Sequence, residues 1–359
     1  MTRASVALAI VSVLVACASK PPPDFAPDPA LVARIEAIRV VPRTEYACPG
    51  GRIRADYEAV LDDGTVLPFS RDYDDDNPPS LHVVFLSRLS PEAASHEDGD
   101  WTADRDPLRS AMEGFRLTAV LRARPELTAT AVVAPEYSCV PHAFGFSGAT
   151  GLPGPDVLLR LGTVRSPFYD RLLVLAVEVG DAPPFYVLHD ADLVPPSDWY
   201  VVGSQGGRGE RGARGAQGGP GAEGRAGCPG GPGGSGGIGQ AGGMGAPGGP
   251  GGSVTLLVPE DERFLAGLVD ARSVGGPGGP GGRGGEGGPG GPGGQGILVN
   301  GQRCENGPAG PQGRDGPEGG EGPSGPPGNP PRVITVPSGD VFGSRVPQAL
   351  QALLDFSRN

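Results

Sequence analysis

Between residues 30 and 202 the hydrophobic positions recur mostly with period two. Ile53, Ala55, Tyr57, Ala59 and Leu61 fall on one face, and Arg52, Arg54, Asp56 and Glu58 on the other. Such alternation predicts a strand with one wet face. Asp62-Asp63-Gly64-Thr65 follows as a hairpin turn signal leading into Val66-Leu67-Pro68-Phe69. Further strands are predicted at 38–41, 81–87, 115–123, 128–134, 157–164, 171–179 and 185–189. Asp28-Pro29 caps a short helix ahead of the first of them. Many short strands in about 170 residues predict a β-sandwich over 30–202.

The pattern changes at residue 203. Glycine then falls at every third position up to Ser253, for 17 triplets. Seven more triplets start at Gly275 and eight run from Gly307 to Pro330. This spacing resembles collagen, and it requires a chain packed so closely that one side carries no side chain. Two assemblies meet that need: a three-chain collagen helix, or several polyproline-II passes of one chain. The second resembles glycine-rich antifreeze proteins and the glycine-rich domain of certain GTPases. If neither forms, the region is a flexible linker.

Segment lengths favour the single chain. Divided at Gly227-Cys228-Pro229, the repeats give four matched segments, 203–226, 230–253, 275–295 and 307–330. Each is about 65–75 Å long as a polyproline-II helix. Gly-Gly opens six of eight triplets in the second and all seven in the third, but two of eight in the first and one of eight in the fourth. Two glycine faces suit a helix between neighbours, so the second and third are expected inside and the others at the edges. An up-down-up-down order puts Cys228 and Cys304 at one end, predicting a Cys228–Cys304 disulfide and leaving Cys48 for Cys139. Tyr-x-Cys precedes a glycine-containing loop at both Cys48 and Cys139. The insertion 253–274 and the tail 331–359 each read as a strand and a short helix, expected to pair as a small α+β cap. The expected fold is therefore mostly β plus polyproline-II.

The N-terminus adds a location. Met1-Thr2-Arg3 precedes an apolar run to Ala16, which describes a signal peptide over 1–16. Leu14-Val15-Ala16-Cys17 resembles the lipobox of bacterial lipoproteins. That resemblance implies cleavage before Cys17, acylation of Cys17, and a cell-envelope protein held at the outer membrane by its lipid. Together with the repeats, the chain resembles the collagen-like lipoproteins of bacterial envelopes. Residues 17–29 read as a lipidated, Pro-rich, extended tether.

Charge and chemistry narrow the function. Residues 24–200 hold 28 Asp/Glu against 15 Arg. Such acidity argues against nucleic acid as a partner. Lys20 is the sole lysine, which excludes Schiff-base and phosphate-loop lysine chemistry in the body of the chain. His82, His96, His142 and His189 lie in no metal-ligand spacing. Gly145-Phe146-Ser147-Gly148-Ala149 approaches the hydrolase elbow but ends in alanine. Gly207 to Gly212 matches a dinucleotide fingerprint only because the repeat makes such matches inevitable. Asp72, Asp74, Asp75 and Asp76 form an oxygen-rich loop, a candidate for calcium at Asp72, Asp74 and Asp76. Arg208, Arg211, Arg214 and Arg225 give the first segment a basic edge. The expectation is a non-enzymatic presenting or spacing module without cofactor, monomeric, whose partners are the membrane and an envelope protein or glycan. The alternatives are a collagen-like homotrimeric adhesin, an envelope enzyme with an unrecognised site in 30–200, and ice or glycan binding by a flat face.

Overall fold

The computed structural model describes residues 20–139, 141–192, 200–344 and 346–358. The signal segment and Cys17 lie outside these residues. Among the described residues the chain is mostly β-strand in several sheets, with few helices and no barrel. Two compact units are present: Met1–Cys139 with Ser166–Asp170 and Ala352–Asn359, and Val140–Arg165 with Arg171–Gln351.

In the first unit, Ile35–Pro42, Ala55–Leu61 and Val66–Pro68 form an antiparallel sheet. A four-stranded sheet orders Tyr46–Ala47, Thr128–Pro135, Phe115–Leu121 and Leu86–Leu89. The expected wet and dry faces are present, with Ile53, Ala55, Tyr57, Ala59 and Leu61 all buried. Asp63 Oδ1 accepts from Thr65 N–H at 2.9 Å, and Gly64 supplies the positive φ of 79° that the turn requires. Asp28 accepts from Ala30 N–H at 3.0 Å and starts the helix Pro29–Arg34. The core gathers Trp101, Phe115, Leu117 and Leu121 around Tyr57. Tyr57 donates its hydroxyl to Gly99 O at 2.7 Å and accepts from Trp101 Nε1 at 2.9 Å. Cys48 is bonded to Cys139, as expected, with Cα atoms 6.2 Å apart.

Two local expectations change here. Residues 81–87 are not one strand. His82 Nδ1 accepts from Val84 N–H at 3.1 Å and turns Val83–Phe85 into a 3-10 helix before Leu86–Leu89. Nor is 17–29 a free tether over its described part. Phe25 packs against Phe85 and His82, with ring centroids 4.8 and 6.0 Å away, and fastens this segment to the core.

The second unit overturns the boundary at 203. A five-stranded sheet orders Phe185–Asp190, Leu172–Val179, Val157–Val164, Val254–Pro259 and Arg332–Val336. A three-stranded parallel sheet orders Ala143–Ser147, Tyr200–Gln205 and Val269–Val274. Their shared core includes Leu159, Leu175, Val202 and Leu256. Strands before and after the glycine repeats thus build one sandwich. The strands of 253–274 and 331–359 form no separate cap, because Val254–Pro259 pairs in parallel with Val157–Val164 as well as with Arg332–Val336. Residues 263–268 are a 3-10 helix, and Gln348–Arg358 is an α-helix.

Candidate functional site: the glycine-rich segments

The repeats leave this sandwich as continuations of its sheets. Tyr200–Gln205 and Val269–Val274 run parallel, and Gly206 N–H donates to Val274 O at 3.0 Å just beyond them. The expected first segment therefore starts at Gly206, since 203–205 belong to a strand. From Gly209 to Gly227 every third N–H donates to the third segment, from Pro277 O to Gln295 O. The second and fourth segments pair likewise, from Gly230 with Glu305 O to Gly251 with Pro326 O, and lead into Val254–Pro259 and Arg332–Val336. These two in-layer pairings are parallel.

Antiparallel pairings cross between the layers. Gly231 to Gly249 donate to the first segment, Gly276 to Gly294 to the second, and Gly307 to Gly325 to the third, each at every third residue. Donor–acceptor distances run from 2.7 to 3.1 Å throughout, in the range of sound N–H···O bonds. The second and third segments each bond to three others; the first and fourth bond to two.

Glycine content follows from what a Cβ would meet. In the third segment, a Cβ at Gly279 would overlap Glu210 O and one at Gly278 would overlap Gly322 O. Both positions must be glycine, and all seven triplets obey. In the second segment, a Cβ at Gly233 would overlap Gly291 O, but at Gly234, Gly237 and Gly243 the nearest atom lies 2.9–3.1 Å away. That softer limit accommodates Gln240 and Ala246, the two exceptions there. The edge segments carry side chains where a further pass would have to lie. Asp315 Oδ1 caps Gly287 N–H at 2.8 Å and Gln312 Nε2 donates to Gly287 O at 3.4 Å, closing the outer side of the third segment. The array stops at four because its outer rows are not glycine.

Cys228 and Cys304 are bonded, with Cα atoms 5.1 Å apart, so the second expected pairing is also present. The outward rows differ in chemistry. Arg208, Arg211 and Arg214 repeat at triplet spacing on the first segment, and Arg214 pairs with Glu286 of the third at 2.5 Å. Ile238 and Met244 stand 69% and 70% exposed on the second.

The remaining candidates are dispersed. The carboxyl of Asp74 turns back to its own loop and accepts from Asp76 N–H at 3.0 Å. No three His, Cys, Asp or Glu gather for a metal among the described residues, which include Asp72, Asp74 and Asp76. His96 hydrogen-bonds Thr102 at 2.6 Å. His82 is held below its usual pKa by burial, and its Nε2 reaches Arg71 O at 3.2 Å. His142 and His189 stack with ring centroids 4.3 Å apart and a 3.0 Å Nδ1–Nε2 contact, beside buried Tyr200. No sequence signal joins two histidines 47 residues apart; His189 lies in Phe185–Asp190 of the five-stranded sheet and His142 just ahead of Ala143–Ser147 in the three-stranded one, and the two meet only in the fold. Ser147 ends a strand and is followed by a turn, so the GFSGA stretch is no strand-to-helix elbow. No family model, curated protein or solved structure matches this chain.

Proposed function

We propose that this chain is a lipid-anchored structural or interaction protein of the bacterial cell envelope. Cys17 carries the lipid, and the glycine-rich segments are four polyproline-II helices of one chain forming a rigid presenting or spacing module. The observation that carries the reading is the intrachain hydrogen-bond array at every third residue, which joins all four segments. Such helices have no internal hydrogen bonds, so neighbours must satisfy the backbone. Glycine pays heavily in chain entropy on ordering; the array, the Cys228–Cys304 bond and the attached sandwich offset that cost. Intrachain bonding favours a monomer over a collagen-like trimer. The two disulfides suit an oxidising compartment.

Light scattering on the unacylated chain from Ala18 onward tests the assembly. A monomer, slightly below the 36.3 kDa of the full chain, is expected; a trimer overturns the reading. Acyl labelling in a bacterial host tests the anchor, with label lost in Cys17→Ser.

A further inference from the structure

The first unit carries a basic pocket that neither the glycine-rich module nor its disulfide uses. Its volume is about 460 Å³, and Lys20, Arg71, His82, Arg88 and Arg122 line it. The acidic members, Glu97 and Asp98, are already engaged: Glu97 by Lys20 at 2.7 Å and Asp98 by Arg52. Arg71 is likewise bound to Asp100 and to Ala55 O. His82 spends both ring nitrogens on backbone groups.

Arg88 and Arg122 are different. Arg88 makes no ion pair among the described residues: its Nε and Nη1 are covered beside the Tyr57 hydroxyl, and its Nη2 reaches Glu97 O at 3.5 Å. The Tyr57 hydroxyl donates to Gly99 O and accepts from Trp101 Nε1 and from Arg88, which leaves the guanidinium charge without a carboxylate. Arg122 makes no ion pair among the described residues, although the surrounding domain is strongly acidic. Two guanidinium charges without a carboxylate partner repel each other at one pocket. An oxyanion in the pocket would offset both charges, and phosphate suits the planar donor fork of arginine.

The placement of the pocket names the source of that phosphate. Lys20 lies three residues after Cys17, a reach of about 10 Å. Phe25 fastens the intervening segment to the core beside His82, so an acyl chain on Cys17 would enter the bilayer close to the pocket. We propose that this pocket seats the phosphate of a membrane lipid headgroup and orients the first unit on the membrane. The inference rests on the lipid-anchor reading above. A mostly acidic domain is repelled by an anionic surface, so its basic pocket is the part that can face one.

The test uses the unacylated chain from Ala18 onward, which contains every described residue. Binding is measured to vesicles of phosphatidylglycerol mixed equally with phosphatidylcholine, and to glycerol 3-phosphate in solution. Wild type is expected to bind the vesicles. Arg88→Ala with Arg122→Ala should bind about 30-fold more weakly. Arg122→Ala alone, on an exposed side chain that folding does not need, should lose about fivefold. Arg39→Ala with Arg54→Ala removes the same charge outside the pocket and should leave binding unchanged. Equal loss in both double variants, or no loss in either, overturns the pocket. Binding to glycerol 3-phosphate without binding to vesicles overturns the membrane as the source. Acyl labelling at Cys17, read separately, shows whether the anchor has failed instead.

Discussion

The first unit and the glycine-rich segments solve the same problem by different means. Both must pair backbone N–H and C=O groups away from water. The first unit does it with strands, and its cohesion comes from apolar side chains such as Leu117 and Phe115, which are fully buried. The glycine segments bury almost no side chain, and their largest apolar groups, Ile238 and Met244, point to solvent. Their cohesion comes from backbone packed on backbone, which only missing Cβ atoms permit. In the first unit stability scales with apolar area. In the second it depends on keeping certain atoms out.

Substitutions can break this contrast. The largest effect is expected from Gly285→Val, whose Cβ would overlap Ala216 O. It should destabilise the second unit by more than about 4 kcal/mol, read as loss of its unfolding transition in urea. Opening the Cys228–Cys304 bond by Cys228→Ser with Cys304→Ser releases a loop spanning 76 residues. The cost should be about 4 kcal/mol at most, seen in the same transition and absent from that of the first unit. Leu117→Ala should do the reverse, costing the first unit about 3 kcal/mol. Gly234→Ala, where the nearest atom to a Cβ lies 3.0 Å away, should change stability by no more than about 1 kcal/mol. If it matches Gly285→Val, the distinction between the two kinds of glycine position fails.

The smallest effect is one of pH. Hydrogen bonds from Thr65, aided by Arg34, lower the Asp63 pKa to about 2. A lowered folded pKa means its contribution is full above the unfolded value near 4 and fades as pH falls towards 2. Asp63→Asn should remove that part of the acid dependence, measured as the unfolding midpoint between pH 5 and 2.

Legibility in the sequence follows the locality of the cause. Ala55–Leu61 and Phe115–Leu121 were readable because one wet face imposes strict alternation within seven residues. Which glycine segments lie inside was readable because Cβ exclusion acts triplet by triplet. The 203 boundary misled because composition is local while pairing is not. Val157–Val164 and Val254–Pro259 are adjacent strands separated by the first two repeats. Ala143–Ser147 and Tyr200–Gln205 went unseen because glycine interrupts their alternation. The arginine pocket left no trace either, since Arg88 and Arg122 stand far apart in sequence and meet only in the folded unit.

Amide hydrogen exchange along 230–253, resolved by NMR on the monomeric chain, tests the array most directly. From Gly230 to Gly249 the first two residues of each triplet donate to neighbouring segments, as Gly233 does to Pro308 and Gly234 to Ala222, while the third is proline or, like Ser235, makes no such bond. Slow exchange at two adjacent positions in each triplet up to Gly249, and fast exchange at Ser235, Ile238, Ala241 and Met244, is the expected result. A collagen helix protects one amide per triplet, and a flexible linker protects none; either pattern would contradict four passes of one chain.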